Sequence, residues 1–146
     1  MNTKLVYLVQ TDTTVGFASQ DDVKLAKIKQ RPDEKKFLLT FSSLKSGTKD
    51  SRVPAFAKNI VRRSKKTTFV YNDSIARRVA TDCEYHEFLN RFDWMYSTSA
   101  NLSGAEYSKE WASEACDVVV YTPDGFKNSS ASSILKLYKT KIKKLR

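Results

Sequence analysis

Short apolar runs rich in β-branched residues alternate with short amphipathic segments along most of the chain, and this alternation constrains the fold more than any other feature. The runs typical of strands span residues 4–10, 37–41, 67–71, 74–80, 94–99, 117–121 and 132–138. The segments typical of helices span residues 20–29, 53–63, 84–92 and 108–115. Because strands and helices alternate throughout, the sequence predicts one α/β domain over residues 1–146, with a twisted mixed sheet and flanking helices.

Two of the predicted helices have an apolar face that should pack on the sheet. In the segment 84–92, apolar side chains recur at the spacing i, i+3, i+4 and i+7 of one buried face, and His86 falls outside it. The residues of that face are Tyr85, Phe88, Leu89 and Phe92. The residues predicted to face inward from the helix at 20–29 are Val23, Ala26 and Ile28.

The charge of the chain narrows the classes of partner. A formal net charge of +10 gives a positive field that attracts polyanions such as nucleotides, RNA or anionic lipid.

No apolar run approaches the roughly 20 residues needed to span a bilayer, and the N-terminal residues lack the cleavage pattern of a signal peptide. The sequence therefore predicts a cytoplasmic protein with no membrane partner. Cys83, Cys116 and His86 do not form the spacing pattern of a zinc site or a disulfide framework.

Three polar segments contain residue types that bind phosphates and small polar ligands. Residues 11–14, Thr-Asp-Thr-Thr, follow the first predicted strand, and ligands of open α/β sheets bind where strands end. Lys29 and Arg31 lie at the end of a predicted helix, where two cations either clamp a triphosphate or simply complement the helix dipole. Residues 97–104, Ser-Thr-Ser-Ala-Asn-Leu-Ser-Gly, are either a solvated spacer or a set of hydroxyls and an amide that line a site.

The order of these segments resembles that of the YrdC-like family, the threonylcarbamoyl-adenylate synthases of tRNA modification. The matching motifs are TDTTVGF (11–17), KQRP (29–32), TFV (68–70), RRV (77–79), STSANLSG (97–104) and SSI (132–134). The resemblance covers nearly the whole chain and implies a YrdC-like domain with a large basic cavity. It further implies that threonine, bicarbonate and ATP combine there with magnesium, which gives threonylcarbamoyl-AMP and pyrophosphate.

The same resemblance implies roles for individual residues and partners. Lys29 and Arg31 match the basic pair that faces the ATP phosphates, and are the expected catalytic residues. The expected substrate-binding residues are Thr11, Asp12, Thr13, Thr68, Arg78, Ser97, Ser99, Asn101 and Ser133. Arg77 is a rival of Arg78, because one residue of register would exchange them across the sheet. Beyond its substrates, the resemblance implies as partners the other proteins of tRNA threonylcarbamoylation, and the basic segments of the chain add tRNA or double-stranded RNA as expected partners.

The expected chemistry needs positioning and neutralisation of charge more than a general base. Magnesium would be held mainly by phosphate oxygens and water, so no protein cluster of metal ligands is expected. The chain departs from the family motifs at Gln10 and Val15 and at Lys65-Lys66 in place of Pro-Gly, and we expect it to start at the first strand without the helix that precedes this strand in the family. Two alternatives therefore stay open. One is a catalytically reduced relative that binds RNA through the basic segments 58–66 and 136–146; the other is a related carbamoyl- or acyl-adenylate chemistry on another substrate.

Overall fold

The computed structural model describes residues 1–32, 35–47 and 51–146, and shows the predicted α/β class with a large mixed sheet. Its strands are β1 (Tyr7–Gln10), β2 (Val15–Ser19), β3 (Leu38–Phe41), β4 (Thr67–Val70), β5 (Ala76–Val79), β6 (Trp94–Ser99), β7 (Val118–Val119), β8 (Ser133–Leu137) and β9 (Ile142–Lys144). Its helices are α1 (Asp22–Lys29), α2 (Leu44–Gly47), α3 (Lys58–Arg63), α4 (Glu84–Leu89) and α5 (Lys109–Ala115), and a 3₁₀ turn (Ala55–Ala57) precedes α3. The predicted α/β fold is confirmed.

The strands of the described residues form one sheet in the order β7-β1-β2-β6-β3-β5-β4-β8-β9. Three pairs are parallel, β1 with β7, β3 with β5 and β4 with β8, and the other neighbours are antiparallel. The central strands β6, β3, β5 and β4 come from distant parts of the sequence. Side chains of the first strand, the middle of the chain and the last hairpin therefore share one surface.

Successive residues of a strand point to opposite faces of the sheet, which gives this sheet a front face and a back face. The front face carries Thr68, Arg78 and Ser97, and of the helices that the structure describes only α4 packs on it, through Tyr85 and the core at one end. Helices α1 and α5 pack on the back face, and so do α2 and α3. Among the described helices, none covers the part of the front face around Arg78.

The inward faces of the helices partly agree with the sequence prediction. All four apolar residues of the predicted face at 84–92 are buried, as expected from their spacing. The prediction for α1 is wrong at Val23, whose side chain is 62% exposed, while Leu25 is fully buried. Leu25 and Lys29 lie four residues apart on the buried side of α1, and this face excludes Val23.

Two strands occupy segments that were not predicted as strands. Residues 15–19 form β2, whose residues are all buried and which lies between β1 and β6. Residues 142–144 form β9, which pairs with β8 and lies in the predicted basic tail. Both strands depend on pairing with their neighbours in the sheet, β2 with β1 and β6 and β9 with β8, more than on local propensity.

The end of α1 separates its two cations. Asp21 caps the helix by accepting a hydrogen bond from the Lys24 amide at 2.9 Å. The helix ends at Gln30 in the left-handed region, with a φ of 48°, and the Arg31 amide then bonds back to the Ala26 carbonyl at 3.1 Å. This reversal of the chain directs Lys29 and Arg31 to different surroundings.

Candidate functional site

The open part of the front face forms a cavity of about 500 Å³. The hydroxyl-bearing residues that line it are Thr11, Thr13, Thr14, Thr68, Ser97, Thr98, Ser99 and Ser132. The cations that line it are Arg31, Lys36, Arg78 and Arg146, and among the described residues no carboxylate does so. A basic concave surface rich in hydroxyl groups is suited to an anionic ligand that carries further polar groups.

The turn between β1 and β2 supplies one wall of the cavity. Thr11 organises this turn: its hydroxyl donates to the Thr14 carbonyl at 2.6 Å and accepts from the amides of Thr13 and Thr14 at 3.2 Å. The Ser129 amide donates to the Thr13 carbonyl at 2.9 Å, which ties the segment before β8 to the same turn. The side chain of Thr13 is consequently held at the cavity wall, where it is buried.

A buried ion pair fixes the floor of the cavity. Arg78 donates from Nη1 to a carboxylate oxygen of Asp12 at 2.6 Å, and both side chains are less than a tenth exposed. Arg78 also donates to the hydroxyl of Thr68 from Nε at 3.1 Å and from Nη2 at 2.8 Å. Because the guanidinium is held on two sides, it joins the β1–β2 turn to β4 and has little freedom to move.

Lys29 is buried against the loop that follows β6. Its ammonium donates to the Ser99 carbonyl at 2.8 Å, to the Asn101 carbonyl, and to Asn101 Oδ1 at 3.0 Å. The hydroxyl of Ser99 donates to the same Asn101 Oδ1 at 2.5 Å. Burial, together with the nearby charge of Arg31, lowers the pKa of Lys29 to about 8. These contacts use all three donors of the ammonium, so Lys29 shapes the loop rather than facing the open cavity.

Arg31 has the opposite environment, because it lines the cavity and is incompletely paired. Its Nη2 donates to the Lys36 carbonyl at 3.1 Å, and its guanidinium carbon lies 4.8 Å from the centre of the Phe37 ring. Its Nε is buried and has no hydrogen-bond partner within the described part of the chain. Burial lowers the pKa of the guanidinium from its ordinary value, but an arginine this basic stays charged near neutral pH. A ligand anion would supply the missing acceptor.

The last wall of the cavity comes from the C-terminal part of the chain. Ser132 is buried, with its hydroxyl 3.3 Å from that of Thr68, whereas Ser133 is exposed and does not line the cavity. Arg146 donates from Nε to the Ser132 carbonyl at 3.1 Å and from Nη2 to the Ser132 hydroxyl at 3.3 Å. The expected position of Ser133 is corrected to Ser132, because alternation along β8 turns Ser133 away.

The structure brings most of the expected residues together. Those that line the cavity are Thr11, Thr13, Arg31, Thr68, Arg78, Ser97 and Ser99. Those one contact behind its wall are Asp12, Lys29 and Asn101. Arg77 is not in this group, since it pairs with Asp73 at 2.6 Å and lies over the ring of Tyr71 on the back face.

Sequence reasoning missed Lys36, Ser132 and Arg146 in the lining. Ser132 is part of the motif SSI, so the sequence indicated the right segment. The motif did not show which of its two serines faces the cavity. Arg146 lies in a basic segment that reads equally well as solvated surface, and only the pairing of β9 with β8 brings it to the cavity.

Within residues 1–32, 35–47 and 51–146, no group of His, Cys, Asp and Glu is arranged to hold a metal ion. Over these ranges, no helix combines the length and apolar character required to cross a bilayer.

Comparison with solved structures shows which fold this is. The structure of P. abyssi Sua5 complexed with L-threonine matches with a TM-score of 0.79 and 17% identity, over 97% of this chain and 50% of that chain. E. coli YciO matches with a TM-score of 0.73 and 19% identity, over 98% of this chain and 82% of that chain. Full-length HypF in its phosphate- and nucleotide-bound form matches with a TM-score of 0.76 and 15% identity, over 97% of this chain and 26% of that chain. This chain therefore spans about half the length of the Sua5 chain.

Comparison at the level of sequence identifies the family. No curated protein matches the chain. The family model of Sua5, YciO and YrdC, described as telomere recombination, matches residues 4–146. Since this match covers nearly the whole chain and the fold agrees with Sua5 and YciO, the chain belongs to the Sua5/YciO/YrdC family.

Proposed function

We propose that the cavity binds ATP, threonine and bicarbonate and that the protein is an L-threonylcarbamoyladenylate synthase of tRNA modification. The observation that carries this proposal is the guanidinium of Arg31, whose buried Nε lacks an acceptor in a cavity lined by cations and hydroxyls. A buried donor without a partner costs about 1–3 kcal/mol. A phosphate oxygen placed there would remove that cost. Family membership and the likeness to Sua5 and nucleotide-bound HypF add support.

The proposed reaction joins threonine to the nucleotide in two steps. The amine of threonine and bicarbonate give a carbamate with loss of water. A carbamate oxygen then attacks the α-phosphorus of ATP, a new P–O bond forms, and the bond to the β-phosphate oxygen breaks to release pyrophosphate. Such a displacement depends mainly on alignment and on neutralising the charge that develops on the phosphates.

The lining residues divide between these two tasks. Arg31 and Arg146 would neutralise the phosphates, because both are cavity cations without a carboxylate partner among the described residues. The hydroxyls of Thr13, Ser97 and Ser99 would align threonine and its carbamate. Lys29 would act as a positioning residue, since it holds the Ser99–Asn101 loop.

Magnesium would enter the cavity together with ATP. The lining offers hydroxyls and cations rather than carboxylates, and this donor set suits a metal held by phosphate oxygens and water. The bound metal would reduce the negative charge of the triphosphate. Arg31 and Arg146 would neutralise the phosphate oxygens that the metal does not reach.

The test is threonine-dependent release of pyrophosphate. The purified protein is incubated with ATP, magnesium and bicarbonate, with and without L-threonine, and pyrophosphate is measured by a coupled assay. We expect release only with threonine, and formation of threonylcarbamoyl-AMP in equal amount. Binding of ATP and threonine without any release would contradict the enzyme and favour the alternative of a catalytically reduced relative.

A matched pair of variants tests the part that Arg31 plays. Arg31→Ala and Lys27→Ala each remove one positive charge near the end of α1, but Lys27 is exposed and does not line the cavity. The loss of a charge-assisted hydrogen bond is worth about 1.5–3 kcal/mol, so ATP affinity should fall roughly ten- to a hundredfold in Arg31→Ala only. If Arg31→Ala and Lys27→Ala bind ATP with equal affinity, Arg31 does not contact the nucleotide.

A further inference from the structure

A second pocket, of about 650 Å³, lies on the back face of the sheet. Its position relative to the cavity follows from β5: Arg78 lines the cavity, and the next residue, Val79, lines the second pocket. Consecutive strand residues point to opposite faces. The sheet therefore separates the two sites, and a ligand in one does not touch a ligand in the other.

The mouth of this pocket is strongly basic. Arg52, Lys58 and Arg62 line it and are exposed to solvent. Among the described residues, no carboxylate forms an ion pair with any of these three cations. Three such cations around one concavity repel one another, and an anion bound between them would relieve that repulsion.

The interior of the pocket is apolar apart from a few hydroxyls. Leu44, Val53 and Val79 form its apolar surface and belong to the core cluster between the sheet and α3. Thr81 also lines it, and the hydroxyl of Thr81 is buried with no hydrogen-bond partner in the described part of the chain. The pocket thus combines an apolar interior with one unsatisfied polar group and a cationic mouth.

We propose that this pocket binds a small phosphorylated ligand, with its phosphates at Arg52, Lys58 and Arg62 and its less polar part against Leu44, Val53 and Val79. The volume falls within the range of about 300–1,000 Å³ that is usual for small-molecule sites. A phosphate of an RNA backbone would contact the cations at the mouth but would leave the apolar interior and Thr81 without a partner. The concave shape therefore favours a small ligand over RNA. The inference is independent of the function proposed for the cavity.

Titration followed by two-dimensional ¹H–¹⁵N NMR of the ¹⁵N-labelled protein tests this proposal, because it reports on both sites at once. The probes are inorganic pyrophosphate, ADP and a short RNA duplex. We expect pyrophosphate and ADP to shift the amide signals of Ser43, Leu44 and Thr81, with ADP binding more tightly because its nucleoside can contact the apolar interior. Signals of Thr13 and Ser99 report binding in the cavity separately.

Neighbouring residues of α3 provide the matched control. Arg62→Gln and Arg63→Gln remove the same charge from the same helix, and both side chains are exposed, but only Arg62 lines the pocket. We expect pyrophosphate affinity at the pocket signals to fall roughly five- to tenfold in Arg62→Gln, which is about the worth of one partly solvated charged contact. Arg63→Gln should bind as the wild type does.

Thr81→Val separates the proposal from RNA binding at the mouth. Valine has nearly the shape of threonine, and the hydroxyl it removes has no partner, so the variant should fold as well as the wild type. ADP affinity at the pocket should fall severalfold. Three results would overturn the proposal: no shift of the pocket signals with pyrophosphate or ADP, equal affinities in Arg62→Gln and Arg63→Gln, or shifts produced by the RNA duplex alone.

Discussion

Arg77 and Arg78 are neighbours in β5, yet their guanidinium groups lie on opposite faces of the sheet. Arg78 pairs with Asp12 at 2.6 Å on the front face, and Arg77 pairs with Asp73 at 2.6 Å on the back face. Both side chains are almost fully buried. Burial and charge therefore do not distinguish them, and only the face of the strand decides which arginine lines the cavity.

This arrangement predicts different consequences for two equivalent substitutions. Arg77→Gln and Arg78→Gln should both destabilise the fold, because each leaves a carboxylate without its partner, and the buried Asp12 makes the cost of Arg78→Gln the larger, about 3–5 kcal/mol. Only Arg78→Gln should also weaken binding of ATP or threonine. Urea unfolding measures the first effect and calorimetric titration the second.

A double variant keeps this prediction testable where Arg78→Gln folds poorly. Asp12→Asn combined with Arg78→Gln removes both charges, so part of the lost stability should return while ligand affinity stays low. If Arg77→Gln folds normally but binds ATP or threonine more weakly than the wild type, the assignment of the two arginines to opposite faces is contradicted.

The serines at the start of β8 provide a second pair. Ser132→Ala should lower ligand affinity severalfold, because the Ser132 hydroxyl accepts a hydrogen bond from Arg146 and lines the cavity. Ser133→Ala should leave affinity unchanged, since that side chain is exposed outside the cavity. Calorimetric titration of ATP and threonine against both variants measures the difference. A larger effect of Ser133→Ala would restore the register expected from the family motif.

Lys29 should make the stability of the protein depend on pH in the alkaline range. Its pKa is lowered from 10.5 to about 8 in the folded protein, so between these values the unfolded chain holds a proton that the folded chain has released. The contribution of Lys29 to the free energy of unfolding should therefore be least favourable below pH 8. It should rise as the pH increases from about 8 to about 10.5.

Two measurements check the prediction for Lys29. The ¹³Cε chemical shift of Lys29 should titrate with a midpoint near pH 8. The free energy of unfolding of the wild type minus that of Lys29→Met should increase as the pH rises from about 8 to about 10.5. Burial raises the pKa values of Tyr71 and Tyr85 to about 12, but both proteins share these groups, so their effect cancels in the difference. A Lys29 signal that stays constant up to about pH 10 would contradict the lowered pKa.

Gly16 should not tolerate a side chain in β2. A Cβ at this position would lie 2.7 Å from the Thr98 carbonyl oxygen and 3.1 Å from Thr11 Cγ2. The carbonyl belongs to the paired strand β6 and has little room to move, so Gly16→Ala should cost roughly 1–3 kcal/mol of stability. Gly125→Ala is the control, because it has open space and a φ of 69°, and should cost about 1 kcal/mol from backbone strain alone. Equal thermal midpoints of Gly16→Ala and the wild type would refute the close approach.

The sequence predicted the strands and helices with strong local patterns and missed two strands, β2 and β9, whose local patterns are weak. The spacing of Tyr85, Phe88 and Leu89 identified the buried face of α4 because one period of the helix is enough to reveal it. Strand β2 begins directly after a polar turn and contains Gly16, so its local signal resembles a loop. Its identity as a strand depends on β1 and β6 on either side.

The site was predictable to the extent that its motifs are contiguous. The motif containing Ser97 and Ser99 and the turn with Thr13 both reach the cavity as expected. The roles of Lys29 and Arg31 were less predictable, because the left-handed residue between them sends one side chain into the loop after β6 and the other into the cavity. The register of β8 in the sheet likewise decides whether Ser132 or Ser133 faces the cavity, and a sequence motif does not contain that register.

The wall of the cavity is drawn from residue 11, in the turn after β1, and from residue 146, just after β9. During synthesis on a ribosome, the early strands and the turn with Thr13 emerge well before β8 and β9 do. A nascent chain therefore has no complete site until β8 and β9 have emerged and β8 has paired with β4. Ligand binding would then stabilise only chains that already contain β8 and β9, and a chain shortened by a stop codon before β8 would lose binding even where most of its sheet survives.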